Sequence, residues 1–129
     1  MTYQVKTEIL GFEDIKSVEF SEIDELFATI KNSDNGSISF SLVNPYLLRE
    51  YSFDLPKSAK VLLEIDESSN VLIYNIMVVQ NPLDESKVNF LAPLVFNKDK
   101  GLMGQVVLRA SENPDFGLAE SIGSFKKVA

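Results

Sequence analysis

Four pairs of adjacent carboxylates are the residues of this 129-residue chain best suited to acid–base catalysis or to calcium binding. None of the pairs has the glycine and the terminal glutamate that a calcium loop needs at fixed spacing. Adjacent acids between short structural elements are ordinarily solvated, so we interpret them as surface charge. The pairs are Glu13-Asp14, Asp24-Glu25, Asp66-Glu67 and Asp84-Glu85.

The remaining residue types give little support to catalysis. The chain has no cysteine and no histidine, which excludes disulfides, zinc fingers, thiol nucleophiles and imidazole bases. Without a histidine no serine triad can form, and Gly101–Gly104 lacks the lysine and hydroxyl residue of a phosphate loop. We therefore predict a protein that is not an enzyme and binds no metal and no cofactor.

The formal net charge of −7 is concentrated in the first two thirds of the chain. Residues 1–30 carry seven acids and two bases, residues 31–86 eight and four, and residues 87–129 four and six. An acidic surface repels nucleic acid and attracts basic partners, although solubility alone is the commoner reason for such a balance.

The start of the chain lacks the basic and apolar regions of a signal peptide, and no apolar run reaches membrane-spanning length. These features predict a cytoplasmic protein that contacts neither membrane nor nucleic acid directly.

Short β-rich runs separated by Asn, Asp, Gly, Pro and Ser clusters dominate the sequence and predict one all-β domain, a barrel or a sandwich. The run Val71–Val79 is apolar at most positions, so we expect it to be the most buried strand, with both faces covered. The seven predicted strands are Tyr3–Ile9, Ser17–Phe20, Ser37–Val43, Glu50–Phe53, Val71–Val79, Val88–Phe96 and Leu102–Leu108.

Three further segments carry helical patterns. Leu55–Leu63 predicts a short helix, with Asp54 as its cap and Pro56 in its first turn. Ser21–Lys31 places apolar residues at helical spacing after a Ser21 cap, so its periodicity alone predicts a helix. The tail, Ser111–Ala129, is weakly specified: a helix over Leu118–Lys126 competes with a flexible or partner-ordered end.

The most informative stretch is Phe40–Pro56, which joins two strand-like runs around Asn44-Pro45-Tyr46. Asn44 can cap a helical turn, Pro45 suits its first position, and Tyr46 presents a ring with a polar tip at the surface. Together with Leu10–Glu13, Val71–Pro82 and Val88–Asn97, this stretch resembles the FliW family of flagellar assembly factors, in order from about Gly11 to about Leu108. Two regions depart from the family pattern: the lead-in to Phe12, and a longer C-terminal tail.

The resemblance implies a compact, mostly antiparallel β-barrel-like domain with short helical turns, here residues 1–110, followed by the tail 111–129. It also favours a strand over Leu26–Lys31, preceded by a helical turn at Ser21–Glu25 and followed by a hairpin turn at Asn32–Gly36.

FliW proteins are cytoplasmic regulators without enzymatic activity, and the resemblance implies two partners. One is CsrA, a small basic RNA-binding dimer that represses flagellin translation, and the other is flagellin before its export. Flagellin would occupy the protein until the flagellin is secreted. The protein would then capture CsrA and relieve the repression of flagellin translation. A small-ligand carrier with a roomy apolar barrel remains the alternative. The candidate partner-binding residues are Phe12, Glu13, Asn44, Pro45, Tyr46, Glu64, Asp66, Glu67, Asn89, Pro93 and Asn97.

Overall fold

The computed structural model describes residues 1–125, and most of its regular structure is β. Seven strands close into a barrel in the order β4-β3-β2-β1-β8-β7-β5, with β5 pairing back onto β4. Only β1 and β8 run parallel in the described sheet, and all other pairs are antiparallel. The predicted all-β, mostly antiparallel barrel is therefore confirmed. The strands are β1 (Thr2–Thr7), β2 (Ser17–Glu22), β3 (Phe27–Asn32), β4 (Ser39–Val43), β5 (Val71–Val78), β6 (Lys87–Val88), β7 (Leu94–Asn97), β8 (Leu102–Gln105) and β9 (Glu120–Ser121).

Helical structure in the described residues is limited to short pieces. The predicted helix over Leu55–Leu63 is present as α1 (Lys57–Leu62), but Pro56 takes the capping position and Asp54 does not cap it. Three 3₁₀ turns lie at Pro45–Leu47, Leu83–Glu85 and Ile122–Phe125.

The barrel interior is filled by alternate residues of its strands. The Tyr3 and Phe96 rings meet edge to face at 5.0 Å, and Phe20 contacts Tyr74 at 5.3 Å in the same way. Successive side chains of a strand point to opposite faces, so one set of residues fills the barrel while the other faces outward. This inner cluster also contains Ile9, Ile15, Val18, Ala28, Ile30, Leu42, Leu94 and Met103.

Two further apolar clusters cover one side of the barrel from outside. Leu63 and Val95 belong to the cluster beneath α1, and Val88 and Phe90 belong to the cluster beneath the C-terminal segment. Outward-facing residues of β5 reach both clusters, so β5 is covered on both faces, as its apolar run predicted. It is not, however, the most buried strand. All residues of β7 are buried, whereas β5 continues past its cover and leaves Val78 exposed.

Several predicted strand boundaries are wrong, for local reasons. Val88–Phe96 is interrupted by a loop between β6 and β7, in which the Asn89 side chain accepts a hydrogen bond from the Leu91 amide at 2.9 Å. Strand β1 stops at Thr7 and β8 at Gln105. Glu50–Phe53 belongs to no strand, because its backbone pairs with no other strand within residues 1–125.

The segment Ser21–Lys31 follows the family resemblance rather than its helical periodicity. Strand β3 is present as predicted, but the helical turn at Ser21–Glu25 is not. Strand β2 runs on to Glu22, and the Asp24 carboxylate then accepts hydrogen bonds from the Leu26 and Phe27 amides at 2.9 and 2.8 Å. This side-chain-to-backbone turn replaces the helical one.

The described part of the tail, residues 111–125, packs against the barrel. Strand β9 pairs with β6, and Ile122 is buried in the outer cluster that also contains Phe90. The helical alternative over Leu118–Lys126 is wrong where it can be compared, since the chain there forms β9 and a 3₁₀ turn. Lys126, the last residue of that predicted helix, lies outside the described residues.

Candidate partner-binding surface

The turn at Asn44-Pro45-Tyr46 has the local structure that its sequence predicts. The Asn44 side chain accepts a hydrogen bond from the Tyr46 amide at 3.0 Å, and the Asn44 backbone amide donates to the Leu26 carbonyl at 2.7 Å. Pro45 occupies the first position of the 3₁₀ turn and is buried. The turn therefore holds Tyr46 and Leu47 at the surface, where Tyr46 is 52% exposed and Leu47 is 55% exposed.

A buried tyrosine supports this turn from below. The Tyr46 ring meets the Tyr51 ring edge to face at 6.1 Å. The Tyr51 hydroxyl donates to the Phe90 carbonyl at 2.6 Å and accepts from the Asn75 side chain at 3.2 Å. Burial raises the pKa of Tyr51, and also that of Tyr46. Both hydroxyls therefore stay protonated at neutral pH, and the Tyr51 bond to the loop at Phe90 is kept.

Arg49 is a central residue of this surface that sequence reasoning missed. Its guanidinium forms an ion pair with Glu120 at 3.2 Å and donates to the Asp115 carbonyl at 3.1 Å. These contacts tie the C-terminal segment to the turn, and no local pattern indicates them because the partners are distant in sequence. The guanidinium also lies 4.9–5.7 Å from the centres of three rings, those of Phe116, Phe90 and Phe125.

Phe12 and Glu13 lie elsewhere on the barrel. The Phe12 ring packs edge to face on Phe40 at 4.8 Å and stays 42% exposed, while a Glu13 carboxylate oxygen accepts from the Gly11 amide at 3.1 Å. Phe40 lies near the start of β4 and Asn44 follows its end, about 13 Å away at the rise of an extended chain. The structure therefore does not bring these two candidate contact points together.

The acidic residues Glu64, Asp66 and Glu67 follow α1 on an exposed loop. Asp66 accepts hydrogen bonds from the Ser68 amide and hydroxyl at 2.8 and 2.7 Å, and these bonds lower its pKa. Glu64 lies 3.8 Å from the Lys100 ammonium. Asp66 thus shapes the loop, whereas the carboxylates of Glu67 and of Glu64, which is only loosely paired with Lys100, are exposed and could meet a partner.

Asn97 is fully buried, and its side chain bonds to two separate parts of the chain. Its side-chain nitrogen donates to the carbonyls of Leu63 and Glu64 at 2.8 and 3.1 Å. Its oxygen accepts from the amides of Asp99 and Lys100 at 3.1 and 3.3 Å. Asn97 therefore joins the end of α1, where the acidic loop begins, to the turn after β7.

Asn89 and Pro93 also form hydrogen bonds within the fold. Pro93 is buried, and its carbonyl accepts from the Val106 amide at 2.9 Å. The Asn89 carbonyl accepts from the Asn75 side chain at 2.9 Å, and Asn89 itself is half-buried. Both residues shape the loop that separates β6 from β7.

Among residues 1–125, no group of three or more acidic side chains comes together in a way that could hold a metal ion. Within the same residues, no helix has the length and apolar character needed to cross a membrane.

The fold and these surfaces define a small closed β-barrel with a filled interior, whose candidate contact residues Tyr46, Glu64 and Glu67 lie on a turn and a loop outside it. The family model described as FliW protein matches residues 1–122, and the chain belongs to the FliW family. It is 50% identical over 125 residues to flagellar assembly factor FliW 2 of Wolinella succinogenes, covering 97% of this chain and 92% of that one. It is 48% identical to FliW 1 of the same organism over 98% and 99% of the two chains.

A third relative, the flagellar assembly factor FliW of Sulfurimonas denitrificans, is 44% identical over 98% of this chain and 99% of its own. A crystal structure of the flagellar assembly factor FliW superposes with a TM-score of 0.84. The superposition covers 94% of this chain and 84% of that one at 24% identity, so this likeness supports the fold alone.

Proposed function

We propose that this protein acts in flagellar assembly as a cytoplasmic, non-enzymatic partner switch that binds CsrA and flagellin in turn. Flagellin that has not been exported occupies the protein, and after export the protein captures CsrA and relieves repression of flagellin translation. The observation that carries the proposal is the turn at Asn44-Pro45-Tyr46, which displays two large apolar side chains on a rigid support. An exposed aromatic residue with few freely rotating bonds is typical of the centre of a protein interface.

The filled barrel favours this proposal over a small-ligand carrier. A carrier needs a cavity large enough to enclose its ligand, whereas the rings of Tyr3, Phe20 and Phe96 pack against one another inside this barrel. The polar and apolar groups available for binding lie on the outside. Such a distribution suits a protein partner.

The first test concerns flagellin and Tyr46. Replacing Tyr46 by Ala removes a large ring from the proposed contact, and we expect flagellin binding to weaken by about 2 kcal/mol, roughly thirtyfold. Val61→Ala is the matched control, because Val61 is also an exposed apolar residue but lies on α1, away from the turn. Titration calorimetry measures both affinities, and circular dichroism verifies that each variant is folded. An unchanged affinity in folded Tyr46→Ala would make this turn structural only.

The second test concerns CsrA and charge. Residues 1–86 carry a net charge of −9, fifteen acids against six bases, and CsrA is basic. Screening shortens the reach of charge–charge attraction from ~8 Å at physiological ionic strength to ~3 Å at 1 M salt. We therefore expect the association rate for CsrA to fall more steeply with salt than that for flagellin, whose binding rests on apolar contact. Equal salt slopes would contradict this electrostatic argument.

The third test uses two charge reversals to locate the acidic surface that CsrA contacts. Glu64→Lys with Glu67→Lys leaves Asp66 and its loop-forming bonds intact, and we expect it to slow CsrA association at least tenfold at low salt. The control pair, Glu22→Lys with Glu25→Lys, makes the same change in net charge at exposed residues, one at the end of β2 and one in the turn that follows it. Stopped-flow fluorescence measures both rates. Equal slowing by the two pairs would mean that net charge matters and that the acidic loop does not.

A further inference from the structure

A groove of about 770 Å³ lies on the surface between two extended segments of the chain, and the proposed function leaves it without a role. One wall is Ser52–Pro56, which runs from the buried Tyr51 to the start of α1. The other wall is Val107–Arg109, which follows β8, and the loop residues Glu112 and Asn113 close one side.

The first wall has the side-chain alternation of a strand but no partner. Phe53 and Leu55 turn inward and pack against the cluster beneath α1, while Ser52 and Asp54 are exposed. Within residues 1–125, the backbone amides and carbonyls of Ser52–Leu55 form no hydrogen bond with any other group. Four consecutive residues thus offer free donors and acceptors along about 13 Å of extended chain.

The second wall is paired on one edge only. The amides of Val106 and Leu108 donate to the carbonyls of Pro93 and Leu91 at 2.9 and 2.7 Å. Because alternate residues of an extended chain direct their backbone groups to opposite edges, the amide and carbonyl of Val107 point away from that pairing, toward the groove. Both are unbonded in the described residues, and the Val107 side chain is 59% exposed.

Unpaired strand edges are templates on which a further strand can add, and here two such edges border one groove. The charges at the groove favour a basic occupant. The Asp54 carboxylate has no partner among the described residues, and Glu112 meets Arg109 only loosely at 3.8 Å. A Lys or Arg side chain beside Asp54 would be matched in charge.

We propose that this groove binds an extended segment of a basic partner protein. The segment adds as a short strand between Ser52–Leu55 and Val107–Arg109 and places a cationic side chain beside Asp54. This inference rests on the proposed function, in which CsrA is the basic partner.

Amide hydrogen exchange of the ¹⁵N-labelled protein, with and without CsrA, tests the inference on the unmodified chain. We expect the Val107 amide and alternate amides of Ser52–Leu55 to exchange at least tenfold more slowly in the complex. We also expect Val107→Pro, which removes the groove-facing amide of the second wall, to weaken CsrA binding at least tenfold. Val107→Ala keeps that amide and should bind within twofold of the parent protein.

The possible results separate the two proposals. Absence of any CsrA binding would overturn the proposed function and this inference with it. Binding of CsrA with unchanged exchange at the groove would overturn the inference alone. Should Val107→Pro fail to fold by circular dichroism, the exchange measurement on the unmodified protein still decides.

Discussion

Replacing Asn97 by Asp is expected to lower the free energy of unfolding by at least about 3 kcal/mol, although the two side chains have nearly the same shape. The Asn97 nitrogen donates to the carbonyls of Leu63 and Glu64, at 2.8 and 3.1 Å. A carboxylate oxygen at that position would face two carbonyl oxygens and would leave both without a donor. The group is fully buried, so no water can replace the lost bonds or solvate the new charge. Urea unfolding of both proteins measures the difference.

Asn35→Asp is the control for this substitution. Asn35 lies on the exposed turn between β3 and β4, and its side-chain oxygen, which a carboxylate retains, accepts from the Ser37 hydroxyl at 2.6 Å. We expect it to change stability by less than ~0.5 kcal/mol. If Asn97→Asp is as stable as this control and loses partner binding instead, Asn97 is a contact residue after all.

The barrel could be predicted from the sequence because the hydrophobic patterns that specify its strands are short and recur along the chain. The inward residues of β1–β4 recur at every second position, so a short stretch of sequence is enough to indicate a strand. Such short stretches of sequence do not reveal which segments pair with another strand. Tyr51 and Phe53 do turn inward, but the backbone around them pairs with no strand in the part of the chain that the structure describes, and a strand exists only when its backbone hydrogen bonds are made.

The candidate site was predicted in part for a related reason. The capped turn at Asn44-Pro45-Tyr46 is built from adjacent residues, so its geometry and the exposure of Tyr46 could be derived from residue types. Pro93 and Asn97 stood out as motif residues, but a motif does not distinguish a residue that touches a partner from one that holds a loop in place. Arg49 could not be predicted because the rings, the carbonyl and the carboxylate that it contacts in the loop at Phe90 and in the C-terminal segment lie 41 or more positions away along the chain, Phe90 being the nearest of them in sequence.

Replacing Arg49 by Ala is expected to lower the free energy of unfolding by about 3 kcal/mol. The substitution removes the guanidinium from the rings of Phe90, Phe116 and Phe125 and breaks the bonds to Glu120 and Asp115. Its side chain is only 17% exposed, so solvent replaces little of what is lost. The first effect should be a local loss of protection from hydrogen exchange in the C-terminal segment. The Ile122 amide, which donates to the Ser86 carbonyl at 2.9 Å, should lose protection from hydrogen exchange before the barrel amides do.

Arg109→Ala removes the same kind of side chain from the surface and serves as the control. The Arg109 side chain is 79% exposed and among residues 1–125 its guanidinium meets only Glu112, at 3.8 Å, so we expect a change in stability below ~0.5 kcal/mol and no change in Ile122 exchange. Arg49→Lys keeps the charge but not the planar group that lies over the rings, and its stability should fall between those of the parent and Arg49→Ala. If Arg49→Ala leaves Ile122 protected while the barrel loses stability, the residue supports the barrel and does not fasten the C-terminal segment. Loss of protection at Ile122 alone would instead show that the segment separates from the barrel as a unit once Arg49 is removed.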